Sequence, residues 1–187
     1  MPVQVYRFDS PRRFVAGTVG APGERTFFLQ ARDDARLITV SMEKEQVSVL
    51  AERIDTMLDE VLKRSGGEAD VPALTPTDAD DLEPLEQPIV EEFRVGTLTL
   101  YWDADAHVVV IAAYAVGDGS NEEPPDDPED SDRDVLVVRL TGGEARAFVK
   151  RSQSVVSAGR PPCPLCGLPL DPDGHVCPRQ NGYRRQD

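Results

Sequence analysis

In 187 residues the chain has three cysteines, two histidines and one tryptophan. Any histidine-based general acid–base chemistry would therefore rest on His107 or His175. Lysine is scarce as well, so nearly all the positive charge is arginine. The chain contains no Walker P-loop, no G-x-G-x-x-G, no G-x-S-x-G and no H-E-x-x-H. Phosphate-cradling loops, nucleophile elbows and zincin helices thus lack their usual sequence marks. The longest apolar run, Val108 to Val116, is nine residues, far short of the ~20 that span a bilayer. The first ten residues, Met1 to Ser10, lack the apolar core of a secretory signal. With thiols suited to metal, these features predict a cytoplasmic protein with no membrane association.

What the chain does have is concentrated at its end. All three cysteines fall in the last quarter, in Pro162-Cys163-Pro164-Leu165-Cys166-Gly167 and Gly174-His175-Val176-Cys177-Pro178-Arg179. The spacing C-x2-C-x8-H-x-C supplies four ligands of the types Zn2+ prefers: Cys163, Cys166, His175 and Cys177. Pro164 fixes φ in the first turn and Gly167 lets the chain fold back under a metal. Asp171-Pro172-Asp173-Gly174 is a strong turn signal. A short hairpin joining two metal-binding turns is the expectation, with the zinc structural. The second half has one residue between its ligands, where zinc ribbons usually have two. Three other readings compete: ordinary buried cysteines, a redox Cys163/Cys166 pair, or an incidental histidine with the fourth ligand elsewhere.

The formal net charge of −14 is unevenly placed. Residues 68–92 hold nine acidic and no basic side chains; residues 118–134 hold nine acidic side chains and one arginine. The rest of the chain is slightly basic. Both segments are polar and proline-rich, and the second has almost no apolar surface to bury. The plain reading is two solvated linkers. The sharper one is that they dock onto a basic partner or shield the protein's own arginines.

Residues 12–19, 25–32, 36–41, 92–102, 106–117 and 134–140 read as strands, separated by turn residues such as Gly20-Ala-Pro-Gly23 and Asp103-Ala-Asp105. Val108 to Val116 is apolar on both faces, which suits a central strand. A helix over 42–64, capped by Ser41 and ended by Gly66-Gly67, presents Val47, Leu50, Ile54, Met57, Leu58 and Val61 as one stripe. A second helix over 142–157 turns Ala145, Phe148, Val149, Ser152, Val155 and Val156 inward, with Arg146 and Lys150 on the opposite side. The pattern is three strands and a helix, stated twice. It predicts an α+β fold: a mostly antiparallel sheet of about six strands, two packed helices and a small C-terminal zinc knuckle. The expected division is a domain over 1–158 and a zinc-binding module over 159–187.

The ending from Cys163 to Gly182, together with Gly20-Ala-Pro-Gly-Glu-Arg-Thr-Phe-Phe-Leu-Gln30, resembles an uncharacterised actinobacterial family, the domain of unknown function 3090. The similarity covers the whole chain. The resemblance brings no established activity.

Three functions compete. The leading expectation is a non-enzymatic binding or adaptor protein with another protein as partner. The second is nucleic-acid binding through the zinc knuckle and nearby arginines; residues 139–187 carry eight basic and four acidic side chains. The third, a zinc-dependent enzyme, requires water in one ligand position. The candidate partner-binding residues are Arg146, Lys150, Arg179, Tyr183, Arg184 and Arg185, with Tyr183 placed to stack on a base.

Overall fold

The computed structural model describes residues 2–117, 123–170 and 174–179. Seven strands form one sheet: β1 (Val5–Phe8), β2 (Arg13–Val19), β3 (Thr26–Arg32), β4 (Leu37–Met42), β5 (Glu91–Asp103), β6 (Val108–Ala115) and β7 (Val135–Thr141). Two helices, α1 (Lys44–Arg64) and α2 (Gly142–Ser157), complete the α+β fold. The strand order is β1-β7-β6-β5-β4-β3-β2. Each meander, β2–β3–β4 and β5–β6–β7, is antiparallel and is followed by a helix. The two join through a parallel β4–β5 pairing, which needs the long crossover that α1 and the following segment supply. β1 was not among the expected strands. It is only four residues long and pairs in parallel with β7, a partner about 130 residues away that local pattern does not reveal.

The period-2 alternation of the central strand divides its apolar run between two clusters. Val109, Ile111 and Ala113 join the main core under the helices. Val110, Ala112 and Tyr114 form a second cluster with Val135 and Val137 on the opposite face. This is why β6 is apolar throughout.

The sheet curls. α2 packs on β2 at one edge and on β7 near the other. Phe14 of β2 stacks on Phe148 of α2, with ring centroids 4.7 Å apart. From the β3–β4 turn, Arg36 donates to the Arg7 carbonyl of β1 and lies over the Phe8 ring.

α1 begins two residues later than expected. Ser41 is not its cap: that side chain points to the outer face of the sheet and donates to Glu91 at 2.8 Å. Glu43 takes the cap position, with Gln46 reaching back to the Glu43 amide. At the other end, Gly67 N–H reaches the Leu62 carbonyl and Gly66 N–H the Lys63 carbonyl, the bond pair of a Schellman motif. α2 starts at a capping box between Thr141 and Glu144.

Residues 68–92 are not a solvated linker. They strap the body, and the shielding of the protein's own arginines is their main chemistry. Asp81 receives Arg13 at 2.5 and 2.9 Å and Arg151 at 3.1 Å. Glu86 pairs with Arg32 at 2.6 Å, and Asp80 with Lys150 at 2.6 Å. Buried Gln30 donates to the Glu86 carbonyl and accepts from its amide. Leu85 then enters the outer face of the sheet, packing with Val15 and Phe28. Gly17 makes that contact available: a Cβ there would lie 2.5 Å from Leu85. The composition misleads because two buried apolar residues, Val71 and Leu85, and three paired carboxylates suffice where the surface below supplies the matching arginines and lysine.

The second acidic segment is described from residue 123 onward. It too has material to bury: Pro128 is buried, Glu129 pairs with Arg7 at 2.7 Å, and Arg133 lies over the Tyr114 ring.

Candidate metal centre

The chain leaves α2 at Ser157 and forms a compact turn. A bridge pairs Pro162 with Pro169, Cys163 N–H donates to the Leu168 carbonyl at 2.7 Å, and Gly167 N–H donates back to the Cys163 carbonyl at 2.8 Å. Gly167 sits at φ +75°, which a side chain would disfavour. This turn brings Cys163 and Cys166 onto one side. The second half crosses it. His175 and Cys177 are two residues apart, and Val176 between them is 79% exposed, so the two ligands project inward together. The single intervening residue is thus compatible with closure.

The four ligand atoms all lie within 4.8 Å of one another. Cys163 Sγ and Cys177 Sγ are 3.9 Å apart. Two thiolates on one tetrahedral ion with zinc-like bonds would be roughly 3.8 Å apart. Cys166 Sγ and His175 Nε2 are 3.2 Å apart, a few tenths below the roughly 3.6 Å for a thiolate and an imidazole sharing such an ion. Nε2 is therefore the ring nitrogen presented to the cluster. His175 Nδ1 is buried and has no hydrogen-bond partner among the described residues.

The sulfurs are not equivalent. Backbone N–H groups of Cys166 and Leu165 point at Cys163 and hold its thiol below the ordinary range. The Leu165 N–H lies 3.4 Å from that sulfur. Burial pushes the Cys166 thiol up. Cys163 and Cys177 are buried, and all three cysteines are free thiols. A donor set of three thiols and one imidazole, converging from two turns, is positioned to hold a metal ion.

The other sequence candidates are scattered. Arg146 is only 4% exposed and lies inside the body. It donates to Asp59 at 2.6 Å, to Asp55, and to the Pro72 carbonyl at 3.1 Å. Its face of α2, expected to be outward, meets α1. Lys150 is engaged with Asp80. Arg179 is exposed beside the knuckle, and Tyr183, Arg184 and Arg185 lie outside the described residues. His107 is a turn residue at φ +56°, edge-on to Trp102, rather than a strand residue. Asp103 closes the β5–β6 turn by accepting from Asp105 and Ala106 and binds Arg139 at 2.8 Å. Sequence reasoning missed the apolar surface of the knuckle: Leu165 and Leu168 are half exposed, and Val176 is more exposed still. The signal was present as apolar residues interleaved with the ligands, which a compact metal turn has no room to bury.

No helix among the described residues is long and apolar enough to cross a membrane. No curated protein and no solved structure matches the chain. The family model described as "Protein of unknown function (DUF3090)" matches residues 6–177, the curled sheet and both halves of the Cys/His cluster together, and the chain belongs to that family.

Proposed function

We propose that the protein is a non-enzymatic binding protein whose C-terminal cluster holds a structural Zn2+ and displays a docking surface for another protein. The observation that carries this reading is the division of the knuckle. Its four ligand atoms converge inward within 4.8 Å, while Leu165, Leu168 and Val176 face solvent. A metal turn is rigid, and apolar side chains fixed on a rigid support bind with little ordering cost. Four protein ligands favour a structural over a catalytic ion. The nucleic-acid reading loses support in α2, where Arg146 and Lys150 are already paired with Asp55, Asp59 and Asp80. Base or phosphate recognition would then fall to Arg179 and the residues beyond it.

The test uses tagged protein expressed in its native host. Intact chain and a Leu165→Ser/Leu168→Ser/Val176→Ser variant are purified, with zinc quantified in both. The reading expects equal zinc, a stoichiometric protein partner on the intact chain, and its loss from the variant. Retention of that partner by the variant, or co-purification of nucleic acid in its place, would overturn the docking assignment.

A further inference from the structure

We propose a second interaction surface: the open half of β5 pairs with an extended peptide strand from another protein. β5 is 13 residues long and β4 is 6. The parallel β4–β5 pairing ends at Ser41 and Arg94. From Thr97 to Asp103, β5 is paired on one side only, with β6. Hydrogen bonds on the far side of β6 fix which groups are left over. Ala115 N–H donates to the Asp134 carbonyl at 2.8 Å, so the odd-numbered residues of β6 turn their peptide groups to β7. The even-numbered ones turn to β5, where they meet Thr97, Thr99, Tyr101 and Asp103. The N–H and C=O groups of Leu98, Leu100 and Trp102 therefore point to the open side. Among the described residues they have no hydrogen-bond partner there.

Elsewhere along the edges a side chain takes the exposed carbonyl. Arg151 donates to Ala16 of β2 at 2.8 Å, and Arg36 to Arg7 of β1. Gln46 donates to the Val95 and Gly96 carbonyls at 3.3 and 3.2 Å, just past the end of β4. There the cover stops. Leu98-Thr99-Leu100-Tyr101-Trp102 has no charge and no proline, the usual protections of an edge. Beside it lies a cavity of about 870 Å³, lined by Val49, Arg53, Thr56 and Met57 of α1 and by Leu98 and Leu100. A second cavity, of about 650 Å³, continues it past Met57 to Trp102. No residue of β6 lines either one, so the groove runs along the side of β5 away from β6.

Unpaired N–H and C=O groups in strand register are matched by another extended backbone. The side chains of Leu98, Leu100 and Trp102 pack against the main core, on the α1 face. A peptide lying between β5 and α1 thus sets alternate residues on this apolar floor. Its other residues lie on the outer face with Thr97, Thr99 and Tyr101, of which Tyr101 is 47% exposed. The rim carries Glu52, Glu60 and Glu68 against Arg53 and Arg64, and Arg64 pairs with Glu60 at 3.7 Å. With the net charge of −14, this favours basic residues on either side of the strand. The partner is therefore an extended segment, apolar at alternate positions, with lysine or arginine at its ends. A second copy fits less well: two-fold pairing of β5 on β5 would bring two copies of α1 over one groove.

The test uses full-length protein and a library of synthetic peptides with alternating apolar and polar residues and lysine at both ends. Binding is read by fluorescence polarisation. Amide hydrogen exchange is read by NMR with and without the tightest peptide. In the free protein the amides of Leu98, Leu100 and Trp102 should exchange about tenfold or more faster than those of Thr99 and Tyr101. Saturable peptide binding should slow all three. Methylating the peptide amides that face β5 should weaken binding about tenfold or more, with the protein untouched. Leu100→Pro removes an N–H that β6 does not use, and should abolish binding in a chain that stays folded. If that variant unfolds, the methylated peptides still decide. No saturable binding from the library, slowed exchange elsewhere in place of these amides, or indifference to methylation would overturn the proposal. So would slow exchange of the three amides in free protein that strengthens with concentration, which assigns the edge to a second copy. None of these outcomes involves Leu165, Leu168 or Val176, so the docking surface on the knuckle stands or falls separately.

Discussion

Arg151 of α2 grips Asp81 twice, donating to its backbone carbonyl at 2.6 Å and to its carboxylate at 3.1 Å. The same guanidinium reaches the Ala16 carbonyl of β2 at 2.8 Å and the Glu83 carbonyl at 2.8 Å. One side chain therefore links the second helix, the first long strand and the acidic strap. Burial lowers the pKa of Arg151 from its ordinary value, but an arginine remains charged at any physiological pH.

Asp81 should make stability acid-sensitive. Hydrogen bonding from Arg13 first, and then the charges of Arg13 and Arg151, hold its pKa below the ordinary value against an opposing effect of burial. Because the folded value is depressed, the unfolded chain takes up the proton first as pH falls. The contribution is complete above the ordinary aspartate value of about 4 and disappears as pH drops through the lower folded value. Asp81→Asn is expected to cost roughly 1–3 kcal/mol at neutral pH. Urea unfolding across pH checks this: the gap between wild type and variant should be flat near neutrality and close in acid. A gap that widened in acid would contradict the assignment.

Gly17 and Leu85 should be energetically coupled. Gly17→Ala places a methyl group 2.5 Å from Leu85 and pushes the strap off the sheet, at an expected cost of about 1–3 kcal/mol. Leu85→Ala removes a buried side chain and is expected to cost about 2–3 kcal/mol. The double variant should be clearly more stable than the sum of the two losses, since the clash goes with the leucine. Strict additivity in a denaturation cycle would show that the strap does not rest on Gly17.

Arg146→Leu should destabilise the fold while leaving surface chemistry untouched. The arginine is buried, but Asp55 and Asp59 are 43% and 66% exposed and regain water when it goes. The expected cost is therefore about 1–3 kcal/mol, below that of breaking a fully buried pair. A variant as stable as wild type but deficient in partner capture would return Arg146 to the candidate binding residues.

The Cys/His cluster should hold about one zinc ion. Cys163→Ser, Cys166→Ser and Cys177→Ser should each abolish retention through gel filtration, measured by elemental analysis. Chelation of the wild type should leave the far-UV signal of the sheet and helices intact, because the main core is built from β1–β7, α1 and α2. Stoichiometric metal in all three variants would remove the assignment. Loss of the whole fold on chelation would show that the knuckle and body are one cooperative unit.

The two helices and six of the seven strands were legible because each announces itself locally. Val47, Leu50, Ile54 and Leu58 recur at helical spacing, and all four are buried. The β6 run is long enough to read as central. The Cys/His cluster was legible because cysteine and histidine at that spacing have few other uses. The failures share a cause. Arg146 and the acidic strap were assigned to solvent because charge was read as exposure. Tertiary contact put Asp55, Asp59 and Asp81 opposite the arginines, and paired charges can be covered when each finds its partner. β1 escaped because its hydrogen bonds go to β7, at the far end of the chain.

By itself, then, the sequence determined what depends on near neighbours in the chain: the amphipathic period of each element, the Schellman end of α1, and the identity and spacing of the four Cys/His side chains of the candidate metal centre. Only the tertiary structure decided what depends on distant partners. It curled the sheet until α2 could meet both β2 and β7. It turned the acidic segment before β5 from a linker into a strap. The physical reason is that a residue's backbone preferences and side-chain chemistry are local properties. The desolvation and pairing of its charge are fixed by whatever packs against it, here from 68 residues away for Arg13 and Asp81.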